Sequence, residues 1–440
     1  MSACAGQPET IPVLVDRGGN ELQQRIAGGA ELAIGGEALN TERLRRFYAR
    51  HDFEMIWPSR EEQATSLIAS VTRARDHGLD PALFHADLLR RRTTLAPLDR
   101  DLLMSDAFLS YADALAHGAV LTDRRRDNET LAPEPVDVVA RLDQAIGSPD
   151  PGAAIEALAP ATTAYRVLRQ SLPRYRAGAA AGNRVAQARL RAIEVNLERL
   201  RWLPRPLPAD FAWVNVADQR LVLYRTYRPV FSTRVVVGDD AERNQSPEFR
   251  AVIEASFVNP PWVIPRDIVD AEILPRLSRD PDYLTRNNMV LHVNGEIEQA
   301  AGPEAGLGFI MFDMPNRFDV YLHDTPNRRV FARDNRRISH GCIRVENPRE
   351  FAAMLMQEPI ETIDQWIATG STTRNTLPIP VPVFVTYQTA FVDTEGAVQF
   401  RPDFYNRDSA IWQLLQRRPQ PAPAPAPTQV DNRPVSPGPA

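Results

Sequence analysis

One cysteine and one histidine in the second half of the chain are the residues best suited to covalent chemistry. Cys342 ends the run Ser339-His340-Gly341-Cys342, and fifteen residues separate that run from His323. A cysteine attacks a carbonyl group as its thiolate, and a histidine within hydrogen-bond reach can take the thiol proton and later return one to a leaving amine. The two residues are therefore a candidate nucleophile and general base for acyl transfer.

The neighbours of the cysteine support this hypothesis. Gly341 has no side chain, so a substrate can approach its backbone, and adjacent amides at a tight turn can point toward a developing oxyanion. Arg344 can hold a carboxylate with its planar guanidinium. A purely structural interpretation stays open as well, with Cys342 as a buried thiol and His323 as a core residue at a strand end.

Composition excludes several other classes of protein. The chain has 440 residues, 43% of them hydrophobic, and a net charge of −5, so it can bury a core but has no overall basic field for nucleic acid. All 51 basic residues are arginines, so Ser-x-x-Lys, P-loop and Schiff-base chemistry lack their lysine. The spacing of His323, Asp324, His340 and Cys342 fits no usual zinc pattern, and two cysteines are too few for a disulfide framework. We expect neither a metal nor an organic cofactor.

The two ends of the sequence are predicted to differ from the rest. No apolar run has the length of a membrane-spanning helix, and no signal-peptide pattern is present. Cys4 follows small residues, as the lipidated cysteine of a bacterial lipoprotein does, and a chance Ser-Ala-Cys is the alternative. Residues 1–37 are predicted to be a flexible segment, and residues 409–440 to hold the end of a helix and a disordered Pro/Ala-rich tail.

Hydrophobic periodicity divides the remaining chain into two regions. Residues 38–200 show the three- and four-residue spacing of helices, and Asn183 is a candidate cap for the last of them. Residues 201–408 contain short β-branched and aromatic runs that predict strands, and Asn347 is a candidate cap for a helix within this region. Residues 259–308 interrupt the strands. The predicted fold is α+β and multidomain, with a mainly helical scaffold domain, a β-rich domain and an inserted capping subdomain.

Taken together, these motifs resemble those of the L,D-transpeptidases with a YkuD-type catalytic domain. The spacing of His323 and the Ser339-to-Cys342 run matches the family signature. Further segments resemble the large YcbB-like periplasmic subgroup, namely Asn196-Leu-Glu-Arg-Leu-Arg-Trp202-Leu-Pro204, Asn259-Pro-Pro-Trp262, His323-Asp-Thr-Pro326, Cys342-Ile-Arg-Val345 and Thr386-Tyr-Gln-Thr-Ala-Phe391. The peptidoglycan-binding module usual in that subgroup is expected to be absent, because only about twenty residues separate Tyr175 from Asn196.

The resemblance implies a cysteine acyltransferase that acts on peptidoglycan stem peptides. Cys342 would attack the L,D bond of a donor stem, and the side-chain amine of an acceptor stem would resolve the thioester into a cross-link. His323 would be the general base, oriented by a main-chain carbonyl. Amides around Gly341 and Cys342 would form the oxyanion hole, and Arg344 would hold a substrate carboxylate.

The resemblance also implies pocket residues in two further places. Ser339 and His340 would shape the pocket beside the nucleophile. Residues 259–308 resemble a capping subdomain over the active site, with Trp262 and Tyr283 as substrate-facing aromatic residues. Both aromatic residues can equally serve to pack the subdomain.

A cellular setting follows from the same resemblance. It implies action in the bacterial periplasm, a role in cell wall biogenesis and cell shape, inhibition by carbapenems, and cell-wall synthesis proteins as partners. Lipidation of Cys4 would add an outer-membrane anchor. Two other functions stay open: an L,D-carboxypeptidase that trims tetrapeptide stems, and an inactive wall-binding scaffold. Both third-position and first-position donors are compatible with the sequence.

Overall fold

The computed structural model describes residues 21–27 and 32–416. Its α-helices are α1 Glu21–Ala27, α2 Thr41–Ala49, α3 Glu61–Thr72, α4 Ala86–Arg90, α5 Pro97–His117, α6 Val138–Ile146, α7 Pro151–Glu156, α8 Thr163–Ala180, α9 Arg184–Arg201, α10 Arg266–Ile268, α11 Leu274–Leu277, α12 Tyr283–Arg286, α13 Pro348–Met356, α14 Ile360–Ala368 and α15 Asp408–Leu415. Its strands are β1 Ala33–Ile34, β2 Glu37–Ala38, β3 Phe211–Asn215, β4 Arg220–Arg225, β5 Arg228–Gly238, β6 Phe249–Val258, β7 Trp262–Val263, β8 Met289–Leu291, β9 Ile297–Gln299, β10 Ile310–Asp313, β11 Leu322–His323, β12 Arg337–Ser339, β13 Ile343–Val345, β14 Thr373–Thr386, β15 Ala390–Val392 and β16 Val398–Phe400. Helices come first and the long sheet strands follow, which confirms the predicted α+β fold.

The helical region packs around α5. Most positions of this helix from Asp101 onward are buried, as expected for a helix surrounded by others. The buried carboxylate of Asp101 accepts hydrogen bonds from the Tyr48 hydroxyl at 2.6 Å and from the backbone N–H of Trp57 at 2.9 Å. These bonds hold the loop before α3 against the centre of the bundle.

The start of the described chain is more ordered than the sequence predicts. Within the segment predicted to be flexible, residues 21–27 form α1, and β1 and β2 form a short hairpin. Leu22, Ile26 and Ile34 are buried in the scaffold core. The apolar side chains are too few and too unevenly spaced to reveal the helix by periodicity alone. Residues 1–20, including Cys4, lie outside the described residues.

Helices α8 and α9 form a hairpin that leads into the β-rich region. Asn183 caps α9 as predicted, because its side chain accepts the N–H groups of Val185 and Ala186. Residues 181–183 connect the two helices directly, so no further module lies between the scaffold and β3 in the described chain. The helix ends at Arg201, just before Pro204.

A closed sheet forms the core of the β-rich region. The strand order is β12-β5-β13-β11-β10-β6-β14-β3-β4, and β4 pairs again with β5, which closes the sheet on itself. Strand β5 has eleven residues and successively contacts β4, β13 and β12. The buried interior includes Val214, Ile253, Phe312 and Ile343. This arrangement fixes the positions of the short strands β11 and β13.

The predicted helix after Asn347 is present, but its predicted cap is not. Helix α13 begins at Pro348, yet Asn347 makes no side-chain capping bond to it. The Asn347 side chain instead accepts a hydrogen bond of 2.8 Å from the Thr233 hydroxyl on β5. The Asn347 side chain therefore bonds to a distant strand, and the predicted capping bond at the start of α13 is not formed.

The C-terminal helix α15 packs against the scaffold. Its residues Ile411 and Leu415 are buried in the same core as α5 and α9. The sequence predicts only the end of a helix after residue 408, whereas the helix spans Asp408–Leu415 and joins the N-terminal core. Residues 417–440, which include the predicted Pro/Ala-rich tail, lie outside the described residues.

Residues 259–308 form a small unit of their own. Strands β7, β9 and β8 make a three-stranded sheet, and a π-helical turn, Val269–Ile273, joins α10 to α11. Ile264, Val269, Ile273 and Ile297 form its separate core. We call this unit, residues 259–308, the cap.

Candidate active site

Parallel pairing of β11 and β13 brings the predicted nucleophile and base together. In the register, His323 lies opposite Arg344, and the Ile343 N–H donates to the Tyr321 carbonyl at 2.9 Å. Cys342 directly precedes β13, and the charge of Arg344 acts on both its thiol and the His323 imidazole, so the three side chains share one region of the structure.

The turn before β13 is held by its own hydrogen bonds. The Ser339 hydroxyl donates to the Cys342 carbonyl at 2.6 Å and accepts the Gly341 N–H at 3.3 Å. Ser339 is buried, so it shapes the turn itself. Gly341 has a φ of +115°, a conformation that favours glycine. The Gly341 amide is thus used inside the turn, whereas the Cys342 amide makes no hydrogen bond within the described residues.

The thiol of Cys342 is partly exposed and protonated at rest. Burial raises its pKa above the ordinary value, while the Tyr321 N–H and the charge of Arg344 lower it. The carboxylates of Asp319 and Asp267 raise it further. The sulfur also lies 3.8 Å from the Asp319 carbonyl oxygen, a weak contact. Many cysteine enzymes lower the pKa of the nucleophilic thiol, whereas this site raises the pKa of Cys342.

His323 is buried and neutral. It is 4% exposed, and burial lowers its pKa to about 3, with the nearby Arg344 cation acting in the same direction. The backbone carbonyls of Asp324 and Leu307 favour the charged ring and oppose this shift. Its Nδ1 atom makes no hydrogen bond of ordinary geometry. The resting pair is thus a thiol and a neutral imidazole, so proton transfer must accompany attack on a substrate.

A glycine-containing loop keeps a carbonyl beside His323. Asp324 accepts the Phe309 N–H at 3.0 Å, and a Cβ on Gly308 would lie 2.6 Å from the Asp324 side chain. Gly308 has a φ of +64°. The loop can therefore close on Asp324 only with glycine here, and it carries the Leu307 carbonyl to the imidazole. The resemblance implies a main-chain carbonyl beside His323 but does not say which residue provides it, and the structure places the carbonyl of Leu307, in the Gly-Leu-Gly segment, there.

Arg344 has an unpaired guanidinium at the site. It forms no ion pair and no side-chain hydrogen bond within the part of the chain that the structure describes, and its Nε atom is buried. Burial lowers its pKa, although the Cys342 thiolate would favour its charge. A partly buried cation without a partner is costly. Its position suits an incoming carboxylate.

His340 connects the nucleophile turn to the cap. Its Nε2 atom lies 2.9 Å from a carboxylate oxygen of Glu272 in the π-helical turn. Glu272 also pairs with Arg276 at 3.1 Å. The side chain of His340 is exposed, in contrast to that of His323. The pocket-shaping role expected for His340 stays a prediction.

The two aromatic residues of the cap take part in its packing. Trp262 packs against the cap core and against Gly306, where a Cβ would lie 2.8 Å from the indole ring. The Tyr283 hydroxyl accepts a hydrogen bond of 3.0 Å from Arg276. These contacts favour the packing interpretation, and a substrate-facing role for either residue stays a prediction.

Comparisons with known proteins identify both halves of the chain. Residues 42–172 match the sequence model of a scaffold domain, and residues 209–383 match that of the L,D-transpeptidase catalytic domain, YkuD. The chain therefore contains an L,D-transpeptidase catalytic domain of the YkuD family, preceded by a scaffold domain. The matched catalytic region contains the predicted site residues His323, Cys342 and Arg344.

Similar proteins carry the same family name. A Haemophilus influenzae protein named "Putative L,D-transpeptidase" is 32% identical over 295 residues, which are 60% of this chain and 58% of that protein. The chain thus aligns with less than two thirds of the relative's length. Among solved structures, an L,D-transpeptidase from Mycobacterium smegmatis matches with 12% identity, covering 40% of this chain and 58% of that one, with a TM-score of 0.23. L,D-transpeptidase 1 of Mycobacterium tuberculosis matches with 10% identity, 40% and 61% coverage and a TM-score of 0.19. Such low scores carry no structural argument.

The described residues contain neither a helix that could span a membrane nor a cluster that could hold a metal ion. None of their helices has both the length and the apolar character needed to span a bilayer. They also contain no cluster of three or more His, Cys, Asp or Glu side chains suited to hold a metal ion.

Proposed function

We propose that the protein is a cysteine L,D-transpeptidase that cross-links peptidoglycan stem peptides in the bacterial periplasm. The observation that carries the proposal is the parallel pairing of β11 and β13. In that register His323 lies opposite Arg344, two residues after Cys342, and the Cys342 amide has no hydrogen-bond partner within the described residues, which supports a shared site. A nucleophile, a base, an oxyanion donor and a carboxylate partner are the components that acyl transfer at a peptide bond needs.

In the acylation half-reaction, the Cys342 sulfur forms a bond to the carbonyl carbon of the donor's L,D bond. The thiol proton passes to the neutral His323 ring, and the Cys342 N–H stabilises the oxyanion. Collapse of the tetrahedral intermediate breaks the C–N bond, and the imidazolium gives its proton to the departing D-amino acid. Arg344 holds a carboxylate of the donor stem.

In the second half-reaction, an acceptor amine attacks the thioester. His323 takes the amine proton, the C–S bond breaks, and the thiolate regains a proton as the new amide forms. Water in place of the amine would give a trimmed stem instead. The choice between transfer and hydrolysis thus depends on which nucleophile reaches the thioester under the cap.

Incubation of the purified protein with isolated muropeptides tests the proposal. Cross-linked dimers identified by mass spectrometry are the expected product, and the same experiment with Cys342→Ala should yield none. Trimmed stems without dimers would make the protein a carboxypeptidase. Sacculus binding without any product would make it a wall-binding scaffold and would overturn the proposal.

A further inference from the structure

The peptide between Gly341 and Cys342 is held from outside the nucleophile turn. The hydroxyl of Ser246 donates a hydrogen bond of 2.7 Å to the Gly341 carbonyl. Ser246 is fully buried, and 95 residues separate it from the glycine. The contact is therefore a fixed feature of the core.

This bond determines where the Cys342 amide points. In a trans peptide the C=O and the following N–H project in opposite directions. A carbonyl of Gly341 held toward Ser246 thus directs the Cys342 N–H away from the core. That N–H is the donor left free by the turn, since Ser339 accepts the Gly341 N–H.

Ser246 is itself fixed by three buried groups. Its hydroxyl accepts the Gly238 N–H at 3.0 Å, its N–H donates to the Tyr405 hydroxyl at 3.4 Å, and its carbonyl accepts from Arg407 at 2.9 Å. The Tyr405 hydroxyl in turn donates to the Gly238 carbonyl at 2.5 Å. A Cβ on Gly238 would lie 1.8 Å from the Asn244 carbonyl oxygen, so the arrangement requires glycine at this position.

Arg407 connects this cluster to the scaffold. Its guanidinium is fully buried and lies 3.3 Å from a carboxylate oxygen of Glu248, which also lies 3.8 Å from Arg199 of α9. Removal of one partner from such a buried network leaves an uncompensated charge and is strongly destabilising. Tyr405 and Arg407 lie beyond residue 383, where the match to the catalytic-domain family ends.

We propose that Ser246 is a positioning residue for the oxyanion donor, and that Tyr405 and Arg407 keep it in place. The inference rests on the proposed function and extends it. Through the Gly341 carbonyl, Ser246 aims the Cys342 N–H at the oxygen of a substrate carbonyl. The segment after residue 400 therefore contributes to catalysis without touching substrate.

Two reagents separate this role from general structural support. With p-nitrophenyl acetate, the Cys342 sulfur bonds to the carbonyl carbon, an oxyanion forms, p-nitrophenolate leaves as the C–O bond breaks, and the thiol proton passes through His323 to solvent. With iodoacetamide, the sulfur bonds to the CH₂ carbon as the C–I bond breaks, iodide leaves, the thiol proton passes to solvent, and no oxyanion forms. Only the first reaction depends on the direction of the Cys342 amide.

The variant Ser246→Ala should slow acylation by p-nitrophenyl acetate about 10- to 100-fold, while alkylation by iodoacetamide stays within about twofold of the unmodified protein. Ser256→Ala is the matched control, because Ser256 lies on β6, is buried and has a hydroxyl without a partner in the described residues. Both rates should be unchanged in that control. Equal acylation in Ser246→Ala, or an equal fall in both rates, would overturn the inference.

A second variant covers the case in which Ser246→Ala fails to fold. Tyr405→Phe removes one hydroxyl from the cluster and should slow acylation about 3- to 10-fold relative to alkylation. An unchanged ratio in folded Tyr405→Phe would contradict the inference. Failure of the proposed function gives a different result, in which the unmodified protein itself forms no acyl adduct on Cys342 although iodoacetamide alkylates it.

Discussion

The imidazole Nε2 of His340 and the carboxylate of Glu272 lie 2.9 Å apart, which links the nucleophile turn to the cap. Glu272 belongs to the inserted unit, whereas His340 immediately precedes Gly341 in the catalytic sequence. Both side chains are about one-third exposed, so the pair is accessible to water and modest in strength. A contact of this kind can hold the cap over the site and still allow it to open.

Loosening this contact should affect binding more than chemistry. Glu272→Gln is expected to raise the KM for a stem-peptide donor about 2- to 5-fold with kcat little changed, because a surface contact of this kind contributes up to about 1 kcal/mol. Steady-state kinetics would measure both constants. Glu298→Gln is the matched control, since Glu298 pairs with His292 within the cap at 3.3 Å. An equal change in the two variants would show that the contact with His340 has no special role.

Covalent labelling should locate the nucleophile. Intact-protein mass spectrometry after exposure to a carbapenem should show one adduct on the unmodified protein and none on Cys342→Ala. The substituted residue is partly exposed and lies in a turn, so the variant should fold normally, which circular dichroism can check. An adduct that persists in Cys342→Ala would place the reactive group elsewhere.

Removal of the Arg344 charge should shift the pH dependence of thiol alkylation. The cation lowers the pKa of Cys342, so Arg344→Gln should raise that pKa and move the rise in iodoacetamide reactivity to higher pH. Rates measured across the alkaline range would give the shift. Arg349→Gln serves as a control, because Arg349 pairs with Asp364 instead. A shift to lower pH in Arg344→Gln would contradict this interpretation.

The scaffold should lose stability at alkaline pH because of a buried histidine. Hydrogen bonds to Asp106 and Glu37 outweigh the effect of burial and raise the pKa of His85 to about 9 from an ordinary 6.5. The folded state therefore binds the proton of the His85 imidazole more tightly than the unfolded state does. The resulting stabilisation is complete below about pH 6.5 and disappears as the pH rises toward about 9. The loss is on the order of 3 kcal/mol.

Urea unfolding at pH 6 and at pH 9.5 would measure the effect. These two pH values lie on either side of the interval in which the stabilisation by His85 is lost. The unmodified protein should lose stability between them, and His85→Gln should show a much smaller change. His292→Gln, at an exposed histidine of the cap, should behave like the unmodified protein. Identical pH dependence in all three proteins would show that His85 does not carry the effect.

The sequence predicts the parts of the site that are local in the chain. Cys342, Gly341 and Arg344 lie within a few residues of one another, and His323 is the last residue of a recognisable strand, so residue type and spacing suffice to propose them. The capping of α9 by Asn183 was predictable for the same reason. In these cases, residues that are close in the sequence are also close in the structure.

Other parts of the site depend on contacts that no local pattern indicates. Ser246 reaches Gly341 across 95 residues and Arg407 reaches Ser246 across 161, so only the closed sheet brings them together. The hydrogen bond of Asn347 could not be predicted for the same reason, because its side chain bonds to the distant Thr233 instead of capping α13. Glu272 and His340 are neighbours only because the cap lies against the nucleophile turn.

The C-terminal segment takes part in two cores at once, and this limits how the protein can be dissected. Tyr387 and Tyr405 are buried in the β-rich core, whereas Ile411 and Leu415 are buried in the helical one. A recombinant fragment truncated at residue 383 would cut β14 before its last residues and expose apolar surface on both sides. Expression of the β-rich half alone should therefore give insoluble material, and a chain kept through residue 416 is the shortest sensible starting point for crystallisation or labelling work.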